Sequence, residues 1–241
     1  MAASEHRTLT VIGPQPLSYG RAVRLQERLV ERVLASERRE NFLLLTEHPP
    51  VITIGRSGEA AEVLADGNPL YGGRAIEVVQ TNRGGRVTLH APGQLVAYPV
   101  VDLKARGCDL HRYLRDLEHW LIGVLASFGV RAVRNPPHTG VWVPQADGAG
   151  PAKIASIGIA ARRWVAWHGA ALNVRTDMGL FDLIVPCGLE AVRMVSMADL
   201  LGGAAPDVPE VAERAAELFA EEFGFSRVHR TAPEPAHEEA G

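Results

Sequence analysis

Lysine is nearly missing from this 241-residue sequence. Of 25 basic residues only Lys104 and Lys153 are lysines, which leaves 23 arginines. Arginine holds its proton throughout the working pH range, whereas lysine can release it. A lysine kept in so arginine-rich a chain is therefore a candidate for chemistry. Lys104, next to Arg106 in an expected loop, reads as a surface charge. A surplus of positive charge is missing too. The net charge is -3 and the pI about 6.3, so a nucleic-acid partner has no electrostatic support. No run approaches the ~20 apolar residues needed to span a bilayer. Residues 1–7 lack the apolar core of an export signal, and a cytoplasmic location is expected. Cysteine is scarce: Cys108 and Cys187 could form one disulfide, but without an export signal free thiols are expected. The nine histidines and two cysteines show no ligand pair at zinc spacing on one element, so no metal site is expected. No Gly-Lys-Ser/Thr loop is present, and no cofactor is expected.

What is present is a 46% hydrophobic chain, enough for one sizeable core. No Pro/Gly/Ser-rich linker divides it. Residues 1–230 are expected to form a single domain, with a Pro-, Ala- and Glu-rich tail over 231–241 expected to be disordered. The pattern predicts strands at 8–12, 41–46, 51–54, 75–81, 86–89, 94–101, 130–133, 141–143, 153–161 and 165–174. Helices are predicted over 18–38, 109–128 and about 209–223. Leu110, Tyr113, Leu114, Leu117, Leu121, Val124, Leu125 and Phe128 make the clearest stripe, which Gly129 ends. Asp207 with Glu210 has the spacing of a capping box. Residues 66–73 and 82–85 read as turns, Asp147-Gly148 as a hairpin turn, and 181–188 as irregular. This is not the regular alternation of a doubly wound parallel sheet. It predicts an α+β fold, a mixed and largely antiparallel sheet with helices packed on it.

Five segments could carry chemistry. Cys187 lies between Pro186 and Gly188, a sharply shaped loop whose backbone N–H groups could face an oxyanion; the alternative is a small buried hydrophobe. Cys108, just before a helix, could gain thiolate character there or be structural. Lys153 opens a predicted strand. Alternation puts it on one face with Ala155, Ile157 and Ile159, where a lysine is costly unless it is partnered or near a cleft; the alternative is an end residue reaching to water. The run Asn82-Arg83-Gly84-Gly85-Arg86-Val87-Thr88-Leu89-His90-Ala91-Pro92-Gly93-Gln94 offers glycines for close backbone approach, or a plain hairpin turn with exposed arginines. His168, before Gly169 and Ala170, has room for a ligand beside it or is a satisfied strand histidine.

Taken in order, these segments resemble the octanoyltransferases of lipoate biosynthesis. The resemblance runs from about residue 48 to 200. It rests on Arg83-Gly84-Gly85 through His90 to Pro92-Gly93-Gln94, on Gly140-Val141-Trp142, on Lys153 to Gly158, on His168 to Val174, and on Pro186-Cys187-Gly188. It implies that Cys187 is an acyl-thioester nucleophile and that Lys153 lowers its pKa. It implies an acyl-substrate site lined by Arg83, Gly84, Gly85, Arg86, Val87, Thr88, Leu89 and His90, by Ser156, Ile157 and Gly158, and by Gly169, Ala170 and Ala171. It also implies a fold shared with lipoate and biotin protein ligase catalytic domains. The implied donor is octanoyl-acyl carrier protein. The implied acceptors are lipoyl domains of 2-oxoacid dehydrogenases and the glycine cleavage H protein. Where the family usually reads Tyr-His-Gly-Pro-Gly, this chain has Leu89-His90-Ala91-Pro92-Gly93, which removes a phenol and restricts one backbone position.

The chemistry asks for these groups. A free cysteine with a pKa near 8.5 is only a few per cent thiolate at pH 7, and a nearby ammonium raises that share. An acceptor lysine is neutral in less than about one part in a thousand at pH 7, so a neighbouring group must take its proton. An eight-carbon tail needs apolar walls, for which Ile157, Ile159 and Ala170 are candidates. Rival readings are an ATP-dependent ligase of the same fold, a thiol hydrolase using Cys187 with His168 or His90, and a non-catalytic carrier-binding module.

Overall fold

A computed structural model describes residues 7–36, 40–64, 69–145, 150–186 and 192–233. The elements in order are β1 (Thr8–Ile12), α1 (Tyr19–Ala35), β2 (Glu40–Thr46), β3 (Val51–Ile54), β4 (Leu70–Tyr71), β5 (Arg74–Ala75), β6 (Glu77–Gln80), β7 (Val87–His90) and β8 (Gln94–Asp102). They continue with α2 (Leu110–Ser127), β9 (Val133–Asn135), β10 (His138–Val143), β11 (Ala152–Arg162), β12 (Val165–Asn173), α3 (Met197–Leu201), α4 (Val208–Phe223) and β13 (Arg227–Thr231). The main sheet has the order β13-β1-β2-β8-β12-β11-β10-β9. Pairing is parallel from β13 through β1 to β2 and antiparallel from there to β9. The sheet is thus mixed and largely antiparallel.

The central strands β8 and β12 are buried along their whole length, because helices cover both faces. On one face Leu95, Ala97 and Leu172 pack against α2 and α4 through Leu117, Leu121, Val211 and Phe219. On the other, Val96, Tyr98 and Val100 meet α1 through Ala22, Val30 and Val33. Burying each such valine, leucine or phenylalanine side chain contributes about 1.5–3 kcal/mol. The helix ends follow their sequence signals. Asp109 accepts a hydrogen bond from the Arg112 N–H at 3.0 Å and starts α2. Asp207 accepts from the Glu210 N–H at 2.8 Å and starts α4, which Gly224 ends at φ +68°. Trp120 ties the two helices together by donating to the Ala215 carbonyl at 2.9 Å. No helix among the described residues is long and apolar enough to cross a membrane.

A three-stranded sheet, β6-β3-β7, forms a second layer. Its core joins Ile52, Ile54, Val87 and Leu89 to Leu180 and Phe181. The Arg83–Gly85 loop bridges the two sheets: Gly84 N–H donates to the Ile159 carbonyl of β11 at 2.8 Å.

Several expectations change. The strand predicted at 130–133 begins only at Val133 as β9, because the chain leaves α2 through the left-handed turn at Gly129 (φ +77°). The stretch 75–81 is broken at Ile76, which turns into the third core. Thr231, placed in the tail by composition, pairs with Ile12 as the last residue of β13. The short α3 follows a Ser196–Asp199 capping box that the sequence reading passed over. Asp147-Gly148, Cys187 and residues 234–241 lie outside the described residues.

Candidate active site

A cavity of about 270 Å³ opens between the two sheets. Small residues of the main sheet make its floor: Ser156 and Gly158 of β11, beside Gly169, Ala170 and Ala171 of β12. Arg83, Gly85, Arg86, Val87, Thr88 and His90 form the opposite wall, and Tyr19, Val96 and Tyr98 close one end. Lys153, His138 and Thr139 stand at the other. The floor needs these small residues. A Cβ at Gly158 would meet the Gly84 carbonyl oxygen at 2.7 Å, and one at Gly169 would collide with the Ala97 carbonyl.

Strict alternation misplaces Lys153. Val141 and Trp142 are adjacent on β10, yet they pair with Ala155 and Lys153 of β11. Ile154 is the extra residue of a β-bulge, which resets the phase of the strand. Ile154 and Ala155 therefore both enter the main core, while Lys153 joins Ser156 in facing the cavity. Lys153 is 2% exposed. Its Nζ lies 5.2 Å from the Trp142 ring centroid, a cation–π distance. Its backbone holds the chain that follows Cys187: Lys153 N–H donates to the Arg193 carbonyl at 2.8 Å, and Val195 N–H donates to the Lys153 carbonyl at 3.0 Å.

Other expectations sort plainly. Ile157 and Ala170 line the cavity, but Ile159 belongs to the main core. Gly84 serves as a backbone dock on β11, and Leu89 is wholly buried in the third core. Neither reaches the cavity. The arginines of the loop are not an exposed pair. Arg83 is buried, and its Nη2 donates to the Thr53 carbonyl and to Thr53 Oγ1, both at 2.7 Å. Arg86 pairs with Glu62 at 2.7 Å. Cys108 is a free thiol at φ +54° just before α2, and no cavity residue adjoins it in sequence.

Sequence reasoning missed the polar cluster at the closed end. His48 Nδ1 donates to the Leu17 carbonyl at 2.6 Å, so its Nε2 accepts from the Tyr98 hydroxyl at 2.8 Å. The Tyr19 and His90 rings stack at 6.1 Å. Burial pushes the His48 pKa down to about 4 and those of His90 and His168 to about 3. All three rings are neutral at pH 7. A histidine directly before Pro49-Pro50 was the one available signal. His168, at φ +57° within β12, donates from Nε2 to Asn82 Oδ1 at 2.7 Å. Only the neighbouring Gly169 gave a hint of that arrangement.

Comparison with known proteins places this geometry. The fold is that of lipoate protein ligases. A bipartite lipoate protein ligase from Thermoplasma acidophilum superimposes with a TM-score of 0.63 at 18% identity, over 94% of this chain and 88% of that one. Lipoate-protein ligase A bound with ATP gives 0.65 at 16% identity, over 96% and 90%. The family model of the lipoyl protein ligase A/B catalytic domain matches residues 18–220. An octanoyltransferase from Geotalea uraniireducens is 49% identical over 187 residues, 78% of this chain and 80% of its own length. One from Geobacter metallireducens is 48% identical over 220 residues, 90% and 96%. The chain belongs to the lipoyl protein ligase A/B catalytic-domain family and, within it, to the octanoyltransferases. It is an acyltransferase that handles octanoyl or lipoyl groups.

Proposed function

We propose that this enzyme takes octanoyl from octanoyl-acyl carrier protein and passes it, through a thioester on Cys187, to the lysine of a lipoyl domain. In the first step the Cys187 thiolate attacks the donor thioester. The C–S bond to the carrier's phosphopantetheine breaks, and that thiolate leaves as a thiol with the proton of the Lys153 ammonium, which becomes the free amine. In the second step the acceptor amine attacks the acyl-cysteine. The amide C–N bond forms, Cys187 leaves as thiolate, and the Lys153 amine takes the proton of the attacking nitrogen. Thioester exchange is nearly isoenergetic and amide formation runs downhill, so ATP is not consumed. Arg83, Gly85, Arg86, Val87, Thr88 and His90, with Ser156 to Gly158 and Gly169 to Ala171, hold the acyl substrate. The acceptors are the lipoyl domains of 2-oxoacid dehydrogenases and the glycine cleavage H protein, in the cytoplasm.

One observation carries the reading. A bulge turns the buried Lys153 out of the core and into a cavity floored by small residues. The Arg193 carbonyl bonded to Lys153 lies six positions after Cys187, a span of at most about 20 Å for an extended chain.

Intact mass after incubation with octanoyl-carrier protein is the test. A hydroxylamine-labile octanoyl adduct is expected on the wild type, absent from Cys187→Ala, and discharged by a lipoyl domain without nucleotide. A labile adduct that persists in Cys187→Ala removes the nucleophile from this role.

A further inference from the structure

Glu118 is a fully buried carboxylate on α2, outside the cavity lining. Its charge is balanced from the surface side. Arg115 Nη1 and Arg134 Nε lie 2.8 and 3.1 Å from Oε2, and both side chains are well exposed. The other oxygen points inward: Oε1 accepts the Gly140 N–H at 3.0 Å. That bond fills a gap in the sheet. His138 pairs with Asn135 and Trp142 with Val133, so β10 carries more residues than β9 between these pairs, and Gly140 sits in the irregular stretch. Its φ is +125°, a conformation that only glycine adopts without strain.

Gly140 is also where Lys153 rests. A Cβ at Gly140 would lie 2.8 Å from Lys153 Cε and 3.3 Å from Nζ. The lysine side chain thus runs across bare backbone at Gly140 and ends near Trp142, two residues along the same strand. If that backbone shifts, the amine shifts with it.

We infer that Glu118 is a positioning residue for Lys153, acting by fixing the Gly140 backbone against which the lysine lies. The inference rests on the assignment of Lys153 to proton handling beside Cys187. The hydrogen bond carries the role, and the charge does not. An amide of the same reach suffices, and a shorter carboxylate fails.

Three variants separate these terms: Glu118→Gln keeps the reach and drops the charge, Glu118→Asp keeps the charge and loses a methylene, and Lys153→Ala is the reference. For each, the Cys187 alkylation rate is followed against pH and kcat and KM are measured with octanoyl-carrier protein, with thermal melts to confirm folding. Glu118→Gln is expected within about twofold of wild type, while Glu118→Asp loses roughly tenfold to a hundredfold in kcat at little changed KM. The Glu118→Asp alkylation profile is expected to move in the same direction as that of Lys153→Ala. Glu118→Gln as impaired as Glu118→Asp overturns the hydrogen-bond role. A shifted Lys153→Ala profile beside an unshifted Glu118→Asp profile overturns the positioning role alone. An unshifted Lys153→Ala profile overturns the lysine assignment itself, and the inference with it.

Discussion

His90 donates from Nδ1 to Gln94 Oε1 at 2.7 Å. The direction is fixed by the amide, whose nitrogen donates to Asn173 Oδ1 at 2.9 Å and to the Leu89 carbonyl at 3.3 Å. Asn173 in turn donates to the Val195 carbonyl at 3.1 Å, next to the chain that pairs with Lys153. The bond to Gln94 would itself favour a protonated ring; burial, and after it His48 and Arg83 nearby, keep His90 neutral.

Stability should therefore fall on acidification. His48, His90 and His168 titrate at about 4, 3 and 3 in the folded protein. An unfolded histidine titrates near 6.5. Below that value the unfolded chain binds protons that the folded one refuses. Stability is complete above about pH 6.5 and declines toward pH 4, with a slope up to about 1.4 kcal/mol per pH unit for each histidine. Urea unfolding midpoints at about pH 7.5, 6 and 5 check this. A flat series would show that the three rings are not held neutral.

Lys153→Arg preserves a cation and should still fail. The guanidinium is bulkier than the ammonium now seated between Gly140 and Trp142, and it does not exchange protons near neutrality. A kcat loss of roughly a hundredfold to ten-thousandfold is expected in octanoyl transfer to a lipoyl domain. Turnover near the wild-type rate would mean that charge alone is what this position supplies.

Gly158→Ala tests the floor of the cavity. Its Cβ would sit 2.7 Å from the Gly84 carbonyl oxygen, a backbone atom that cannot swing aside. The loop bearing Arg83 must lift from β11, at a cost of roughly 1–3 kcal/mol. A lower melting temperature and a raised KM for the acyl donor are expected together. Unchanged values for both would show that the loop is not seated as described.

Arg83→Lys tests the fork on Thr53. The guanidinium makes three bonds to this one residue, two from Nη2 and one from Nε at 3.2 Å. A lysine ammonium cannot match that planar geometry. A loss of roughly 1.5–3 kcal/mol per broken charged bond is expected in chemical denaturation. Wild-type stability would count against the fork as what holds the loop.

Much of this architecture was legible in the chain. The stripe from Leu110 to Phe128 announced α2, and Asp207 with Glu210 announced the start of α4, because these signals are local. The glycine pair at 84 and 85 marked a close approach, although the approach is to β11 as well as to the cavity. The bulge at Ile154 left no trace. Ile154, Ile157 and Ile159 are apolar whichever face they take, so the pattern has no phase to read. The pattern predicts no strand over the exposed β13, where Arg227, His229 and Arg230 fall within five residues; its order comes from pairing with β1, a contact over 200 positions distant in sequence. Tyr19, His48 and Tyr98 meet from three separate elements, and Glu118 reaches Gly140 from a fourth. Such meetings are written in topology and not in any single segment.

The extra residue at Ile154 also divides β11 into two reading frames. Upstream and downstream of it, odd and even positions carry opposite meanings, so deleting one residue between Lys153 and Ser156 would exchange interior for cavity along that whole end of the strand. Point substitution cannot make that exchange. A length change there is expected to be poorly tolerated, and the lysine's orientation is thereby kept by counting as much as by chemistry.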